Sequence, residues 1–341
     1  MRAMRLDRAG PIATSRLSLV DAPVPEPGPG EVSIDVEACG VCRTDLHIAE
    51  GEVQAPLPRI LGHQAAGRVA GVGDGVAGLA PGDAVGVGWM AAVDGRCAYC
   101  LSGRENLCAA ARFTGRDRDG GYAEALTARA EWVFPLPPGF AVRDAAPLLC
   151  AGVIGYRSLR LAGVAPPEPD SPGRSVRRLG LFGFGASAHL AIQVALHWGW
   201  EVYAFTRGES GRRLALEMGA RWAGEAHEDP GVLLDSAVTF APAGELVPAA
   251  LARVAPGGTV AINAIHMSPI PSMEYERIYG ERVLRSVQNF THRDAIELLA
   301  LAAAMPIRSH VAEYALEDAN AALQDVARGN VRGAAVLRVS R

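Results

Sequence analysis

The chain has 341 residues, 49% hydrophobic and 21% charged, with a formal net charge of −4. That length allows two domains with their own cores, and the composition is that of a globular protein. The acidic balance, with no run of Lys or Arg, argues against a nucleic-acid surface, and no uninterrupted apolar stretch reaches membrane-spanning length.

The N-terminal run Met1-Arg-Ala-Met-Arg-Leu-Asp7 lacks the apolar segment of a signal peptide, so a cytoplasmic location is expected. Residues 1 to about 150 read as all-β. Short apolar runs are punctuated by Pro and Gly at 23–30, 56–58, 71–82 and 135–139, a texture that suggests a barrel-like domain. Val32, Ile34 and Val36 alternate with Ser33, Asp35 and Glu37, the pattern of a half-buried strand. That strand delivers Cys42 at its C-terminal end. The stretch Cys39-Gly-Val-Cys42-Arg43-Thr44-Asp45-Leu-His47, completed by Leu61-Gly-His63-Gln64, gathers thiol, hydroxyl, carboxylate and imidazole groups. Zinc is well served by thiolate and imidazole, and a catalytic site takes three protein ligands and keeps one position open. Cys42 and His63 are the first two candidates. Taken singly, they fit better as a buried free cysteine and an ordinary loop histidine.

Six cysteines stand at 39, 42, 97, 100, 108 and 150. Cys97, Cys100 and Cys108 follow C-x2-C-x7-C with Asp94 just upstream, a spacing more metal-like than disulfide-like in a cytosolic context. Cys150, in the apolar run Ala145–Tyr156, reads from the sequence alone as a buried structural thiol. From Tyr156 the texture changes to alternating strands and helices. Residues 165–174, rich in proline, form a polar loop. Leu179–Phe182 is a short strand, followed by Gly183-Phe184-Gly185-Ala186-Ser187-Ala188 and a helix to about Trp198. This is G-x-G-x-x-A between a strand and a helix, the context of a dinucleotide fingerprint. Gly183 permits the tight turn, Gly185 lets the backbone approach a pyrophosphate, and Ala188 allows close helix–strand packing. A second strand, 201–206, ends without a carboxylate to bind ribose hydroxyls. Thr206 and Arg207 stand there, a pair that favours NADP(H) over NAD(H), although Arg207 also suits a solvated turn. Glu209, the nearest carboxylate, is expected to face solvent. A helix at 213–218 and strands at 236–240, 259–264 and 282–287 complete the sheet. The C-terminal region reads as a helix at 294–304, a β-like segment at 307–314, a helix at 316–328 and a strand at 334–339.

The run Cys-Gly-Val-Cys-Arg-Thr-Asp-x-His with Gly-His-Gln, the cysteine lobe, the run Asp119-Gly-Gly-Tyr-Ala-Glu124 and the glycine fingerprint resemble, in the same order, the zinc-dependent medium-chain alcohol dehydrogenases. The resemblance spans nearly the whole chain. It implies an α/β protein: a GroES-like β-barrel catalytic domain at 1–151 and 290–341, with a zinc lobe at 94–108, and a doubly wound parallel-sheet Rossmann domain at 152–289. It implies Cys150 as the third catalytic zinc ligand, and Asp94, Cys97, Cys100 and Cys108 as ligands of a structural zinc; an empty lobe, or a three-thiolate site closed by water, stands as the alternative. Thr44 then takes the alcohol proton, His47 passes it on, and Asp45 orients a ligand imidazole. Arg43 grips the cofactor pyrophosphate, Ala264 and Ile265 pass the nicotinamide, and Arg332 lies near the phosphates. Trp89 and Met90 line a pocket for a small apolar alcohol or aldehyde, although plain core packing suits Trp89 as well. The resemblance also implies a homo-oligomer, dimer or tetramer. Three departures stand out: Asp94 replaces a usual cysteine, Gln64 a common Glu, and Ile154 a common Thr. Two other functions are weighed. A quinone or enone reductase of this fold lacks the set Cys42, His63 and Cys150. A non-catalytic protein binding zinc and NADPH needs neither Thr44 nor His47.

Overall fold

The computed structural model describes residues 1–167, 176–305 and 307–340. Most of the polar loop expected at 165–174 therefore lies outside the described residues. The chain divides into two compact units: Met1–Val153 with Asn289–Arg341, and Ile154–Gln288.

In the first unit the strand Glu31–Val41 is the organising element. It pairs antiparallel with Ala65–Val72, with Ala125–Arg129 and with the C-terminal strand Ala334–Arg338. The sheet runs from Val133–Pro135 through Ala84–Val87 and those strands to Val311–Ala315. A smaller sheet joins Leu17–Asp21, Arg2–Leu6 and Arg59–Ile60. The alternation in Glu31–Val41 is real for Asp35, which is exposed, but Ser33 is buried although the pattern puts it on the polar side. The pairing with Ala65–Val72 shifts register between Ser33 and Ile34, which interrupts the alternation, and the Ser33 hydroxyl faces the Gly71 carbonyl at 3.5 Å.

This unit is not all-β as expected. Arg43–Glu50 is an α-helix. Cys42 caps it, accepting from the Thr44 N–H, and Asp45 reaches back to the Cys42 N–H in a reciprocal capping box. Strand alternation and a capping signature meet at Cys42, so the chain turns from strand to helix at a candidate metal ligand. The C-terminal elements follow the sequence reading with shifted ends. The helix His292–Ala304 begins earlier than expected because Thr291 and Asp294 form a second capping box. The β-like segment contracts to Val311–Ala315, and the expected helix opens with a 3-10 turn at Leu316–Asp318 before Ala319–Arg328.

The second unit is a six-stranded, wholly parallel sheet. Its spatial order is Trp222–Gly224, Glu201–Phe205, Arg178–Phe182, Leu234–Thr239, Val254–Ile262, Val283–Ser286. The strand order reverses beside Arg178–Phe182, which is where such sheets bind ligands at the carboxyl ends of their strands. Phe182 stacks on Phe205 with ring centroids 4.2 Å apart, and Trp222 tilts against Phe205 at 5.0 Å. Phe182 and Phe205, both fully buried, each contribute roughly 1.5–3 kcal/mol by burial. The helix expected at 213–218 begins at Glu209, whose carboxylate suits its first turn. Among the described residues no helix is long and apolar enough to cross a membrane.

Candidate active site

Among the described residues, two side-chain clusters have donor atoms close enough to hold a metal ion. In the first, the donor atoms of Cys42, His63 and Cys150 lie within 4.8 Å of one another. Each arrives by a different local device. Cys42 comes from the end of the long strand. His63 follows Gly62, whose φ of +96° belongs to the left-handed region, and whose Cβ, had it one, would lie 2.3 Å from the Tyr122 ring. Cys150 follows the buried 3-10 turn Ala146–Leu149.

Asp45 is the anchor beneath this cluster. It is wholly buried and accepts four hydrogen bonds. Oδ1 takes those of His63 Nδ1 (3.0 Å) and Gly62 N (3.3 Å), and Oδ2 those of Cys42 N (2.9 Å) and Tyr122 OH (3.1 Å). When the ring is neutral, its proton is thereby fixed on Nδ1 and Nε2 carries the lone pair. That Nε2 is buried and has no hydrogen-bond partner among the described residues. An orphaned imidazole nitrogen facing two sulfurs is what an absent tetrahedral cation would leave. The surrounding negative groups draw positive charge to this ring, whether a proton or a metal ion. Burial works against a charged His63, but the Asp45 carboxylate and then the Cys42 sulfur outweigh it, and the group is pushed up to about 10. The Cys150 thiol, then His63, hold Cys42 well below the usual thiol range despite its burial.

Trp89 leans edge-on against His63, with ring centroids 4.8 Å apart, and stacks on Phe113 at 4.9 Å. It is 5% exposed, so it packs in the core while touching a candidate ligand. Met90 has no exposed surface and belongs to the core. Thr44 is half-buried in the first turn of the helix, and His47 is buried in its last. The Nδ1 of His47 is bonded to the Glu52 carboxylate. Arg43 is exposed, and its Nη2 donates to the Val326 carbonyl at 2.9 Å.

In the second cluster the donor atoms of Asp94, Cys97, Cys100 and Cys108 also lie within 4.8 Å of one another. Asp94 Oδ1 accepts from Arg96 N and Cys97 N, each at 2.9 Å. Those backbone N–H groups, Cys97's first, hold its carboxyl well below the usual carboxylate range. Asp94 therefore presents an anion among three sulfurs, which is the chemistry a fourth cysteine would offer. The far end of this loop is tied down: Glu105 accepts from His292 N at 2.6 Å and the Asn106 carbonyl from Asn289 Nδ2 at 3.3 Å.

The glycine fingerprint lies in the second unit. Gly183 has φ +92°, and a Cβ there would meet Ala241 within 3 Å. Gly185 opens the helix Ala186–His197, whose N-terminus has no side-chain cap, and the space where its Cβ would stand is empty. Unsatisfied first-turn N–H groups beside an open approach fit a phosphate. Phe184 and Ala188 are buried, whereas Ala186 and Ser187 are half-buried at the helix start. At the next strand end Arg207 is exposed. Arg212 donates to the Thr206 and Arg207 carbonyls at 3.2 and 2.8 Å, stiffening that turn. Glu209 pairs with Arg213 at 2.9 Å on the exposed helix face. Ala264 packs on the core of this unit, while Ile265 is about half exposed. Arg332 is exposed.

Residues 28–138 match the alcohol dehydrogenase GroES-like domain. The probable alcohol dehydrogenase AdhA of Mycobacterium tuberculosis is 44% identical over 99% of this chain and 97% of its own length. The chain belongs to the zinc-type medium-chain alcohol dehydrogenase family. Solved structures carry the same fold. A cinnamyl alcohol dehydrogenase of Sorghum bicolor superposes with a TM-score of 0.89 at 26% identity, covering 99% of this chain and 97% of that one. A cobalt- and zinc-bound thermostable alcohol dehydrogenase of Pyrobaculum aerophilum gives 0.86 at 25%, covering 99% of both chains.

Two functional partners escaped the sequence reading. Tyr122 lies in the run Asp119–Glu124, which enters the sequence reading only as part of the family resemblance, yet its hydroxyl bonds Asp45. Nothing local signals that, because 77 residues separate them. Glu52 had a local signal: a carboxylate five residues after His47, just past the glycine that ends the helix.

Proposed function

We propose that the protein is a zinc-dependent alcohol dehydrogenase, oxidising small apolar alcohols or reducing the matching aldehydes, with NADP(H) preferred over NAD(H). The observation that carries this reading is the convergence of Cys42, Cys150 and the Nε2 of His63, a ring that Asp45 holds from Nδ1 and whose Nε2 has no hydrogen-bond partner among the described residues. Those three residues hold the metal, which supplies Lewis acidity toward an alcohol or carbonyl oxygen. The nicotinamide cofactor supplies the hydride acceptor or donor. The protein's own side chains do the rest. The Thr44 hydroxyl takes the alcohol proton and His47 carries it onward. Asp45 keeps His63 in one tautomer and orientation. The Thr44 N–H donates to Cys42 Sγ at 3.5 Å and steadies the thiolate. Trp89 closes the wall beside His63 and favours an apolar substrate.

In the second unit, Gly183, Phe184, Gly185, Ala186, Ser187 and Ala188 receive the pyrophosphate, and Thr206 with Arg207 the additional phosphate of NADP. Ala264 and Ile265 flank the nicotinamide. Arg43 keeps donors to spare beyond its bond to Val326 and, with Arg332, serves the cofactor phosphates. Asp94, Cys97, Cys100 and Cys108 hold a second, structural zinc. The two compact units are accordingly a catalytic and a cofactor domain, in a cytoplasmic homo-oligomer.

Cys42→Ser tests the central claim. It should abolish turnover while leaving NADPH binding largely intact, because Cys42 and the glycine fingerprint belong to different units. Retained activity in metal-depleted Cys42→Ser protein would sink the zinc reading.

A further inference from the structure

We propose that Glu52 is a positioning residue for His47, holding its imidazole as the Nδ1–H tautomer so that Nε2 is the nitrogen that accepts the proton. The proposal rests on the reading of His47 as a proton carrier.

The geometry begins with the helix Arg43–Glu50. It ends at Gly51, whose φ of +85° reverses the chain. Glu52 follows at once, and its carboxylate returns to Nδ1 of His47. The reversal is riveted by backbone and side chain alike. Val53 N donates to the His47 carbonyl at 3.1 Å, Gln54 Nε2 to the Gly51 carbonyl at 2.7 Å, and Arg116 Nε to the Gln54 carbonyl at 2.8 Å. Neighbouring carboxylates are engaged elsewhere. Asp45 serves Cys42, Gly62, His63 and Tyr122, and Glu50 accepts from Ile12 N at 3.3 Å.

An ionised carboxylate only accepts hydrogen bonds, so the shared proton belongs to Nδ1 and the neutral ring keeps its lone pair on Nε2. His47 is 6% exposed, whereas the Glu52 side chain is 42% exposed. The imidazole is thus held from its solvent side by a group that itself stays hydrated. In the step proposed, a proton adds to Nε2 and later leaves from it; the Nδ1–H bond to Glu52 persists throughout. The arrangement around His47 parallels that around His63, where Asp45 fixes the tautomer from Nδ1. One helix and its cap therefore carry two imidazole-orienting carboxylates, one toward the metal cluster and one toward the proton path.

The test uses the zinc-loaded full-length protein labelled with ¹⁵N-histidine, with His47 assigned by difference against His47→Asn. In the parent, neutral His47 should show the Nδ1–H pattern. Glu52→Gln still offers a carbonyl acceptor and should keep that pattern, with kcat reduced by no more than about threefold. Glu52→Ala should lose the pattern, and its kcat should fall by about ten- to a hundredfold with the alcohol KM nearly unchanged, since general acid–base catalysis is typically worth about 10²–10⁴-fold and substrate contacts are intact. A parental tautomer in Glu52→Ala, or a parental kcat despite a changed tautomer, overturns the proposal. So does a Glu52→Gln variant as slow as Glu52→Ala, because the charge and not the acceptor would then matter. His47→Asn separates the two levels. If it is slow while Glu52→Ala is not, the positioning role alone falls; if it is as fast as the parent, the reading of His47 falls and the proposal with it.

Discussion

Asp45→Asn is the sharpest single probe of the metal cluster. The carboxylate is fully buried and accepts from four donors, two on each oxygen. An amide keeps one oxygen and turns the other into a donor. With the oxygen kept toward His63 and Gly62, the new NH₂ faces Cys42 N–H and Tyr122. The Tyr122 hydroxyl can rotate to accept, but the Cys42 N–H cannot. One buried N–H therefore loses a charged acceptor, which costs about 1.5–3 kcal/mol. For a unit of this size that is a fall in Tm of about 3–12 °C. The helix that carries Thr44 and His47 also loses half of its capping box. The effect on the metal is separate. His63 stays oriented but loses the negative charge behind it, and changes of this kind lower metal affinity by about ten- to a hundredfold. Thermal denaturation of metal-free protein reads the first effect, and zinc competition against a chromogenic chelator reads the second. An Asp45→Asn protein that kept both its parental Tm and its parental zinc affinity would refute the assignment of Asp45 as the anchor.

Three further outcomes are expected. Purified protein should carry about two zinc ions per chain, and Cys100→Ala should lower this to about one; a single zinc, unchanged by Cys100→Ala and by Asp94→Ala, excludes a loaded lobe. Arg207→Ala should raise the KM for NADPH by about ten- to a hundredfold, the value of a charge-assisted bond to phosphate, and leave NADH nearly unchanged; equal losses with both cofactors would mean that Arg207 supports the turn instead. The last concerns pH. Burial pushes the Glu31 carboxyl up, but Arg118, 2.6 Å away, outweighs it and holds the group below its usual value. A depressed folded-state value stabilises above the unfolded value near about 4.3 and stops doing so as pH falls through the folded value. Arg118→Met should therefore lower stability by up to about 1 kcal/mol at neutral pH, and the difference from the parent should shrink below about pH 4. A denaturation difference independent of pH would contradict this.

The elements that repeat a local rule were legible in the chain itself. A glycine fingerprint between an apolar strand and a helix needs only nearest neighbours to be recognised, and the close approach at Gly183 and the uncapped helix start follow from it. The C-x2-C-x7-C spacing with Asp94 likewise spans only 15 residues, so its four donors are near neighbours in the chain. Cys42 and His63 were marked by their own short runs. Tertiary structure alone decided what distant residues do. Cys150 sits in an apolar run that looks like core; it becomes a partner of Cys42 because the buried turn before it brings the thiol to the strand end. Ser33 departs from the alternation because the pairing shifts register beside it, and a bulge is set by the partner strand and not by the strand's own residues. Tyr122 and Asp45 show the same limit. Hydrogen-bond partners across a barrel are set by sheet register and loop packing, and neither leaves a mark within a sequence window. The local code therefore named most of the donors, and only the folded barrel decided which of them share a buried, charge-paired site.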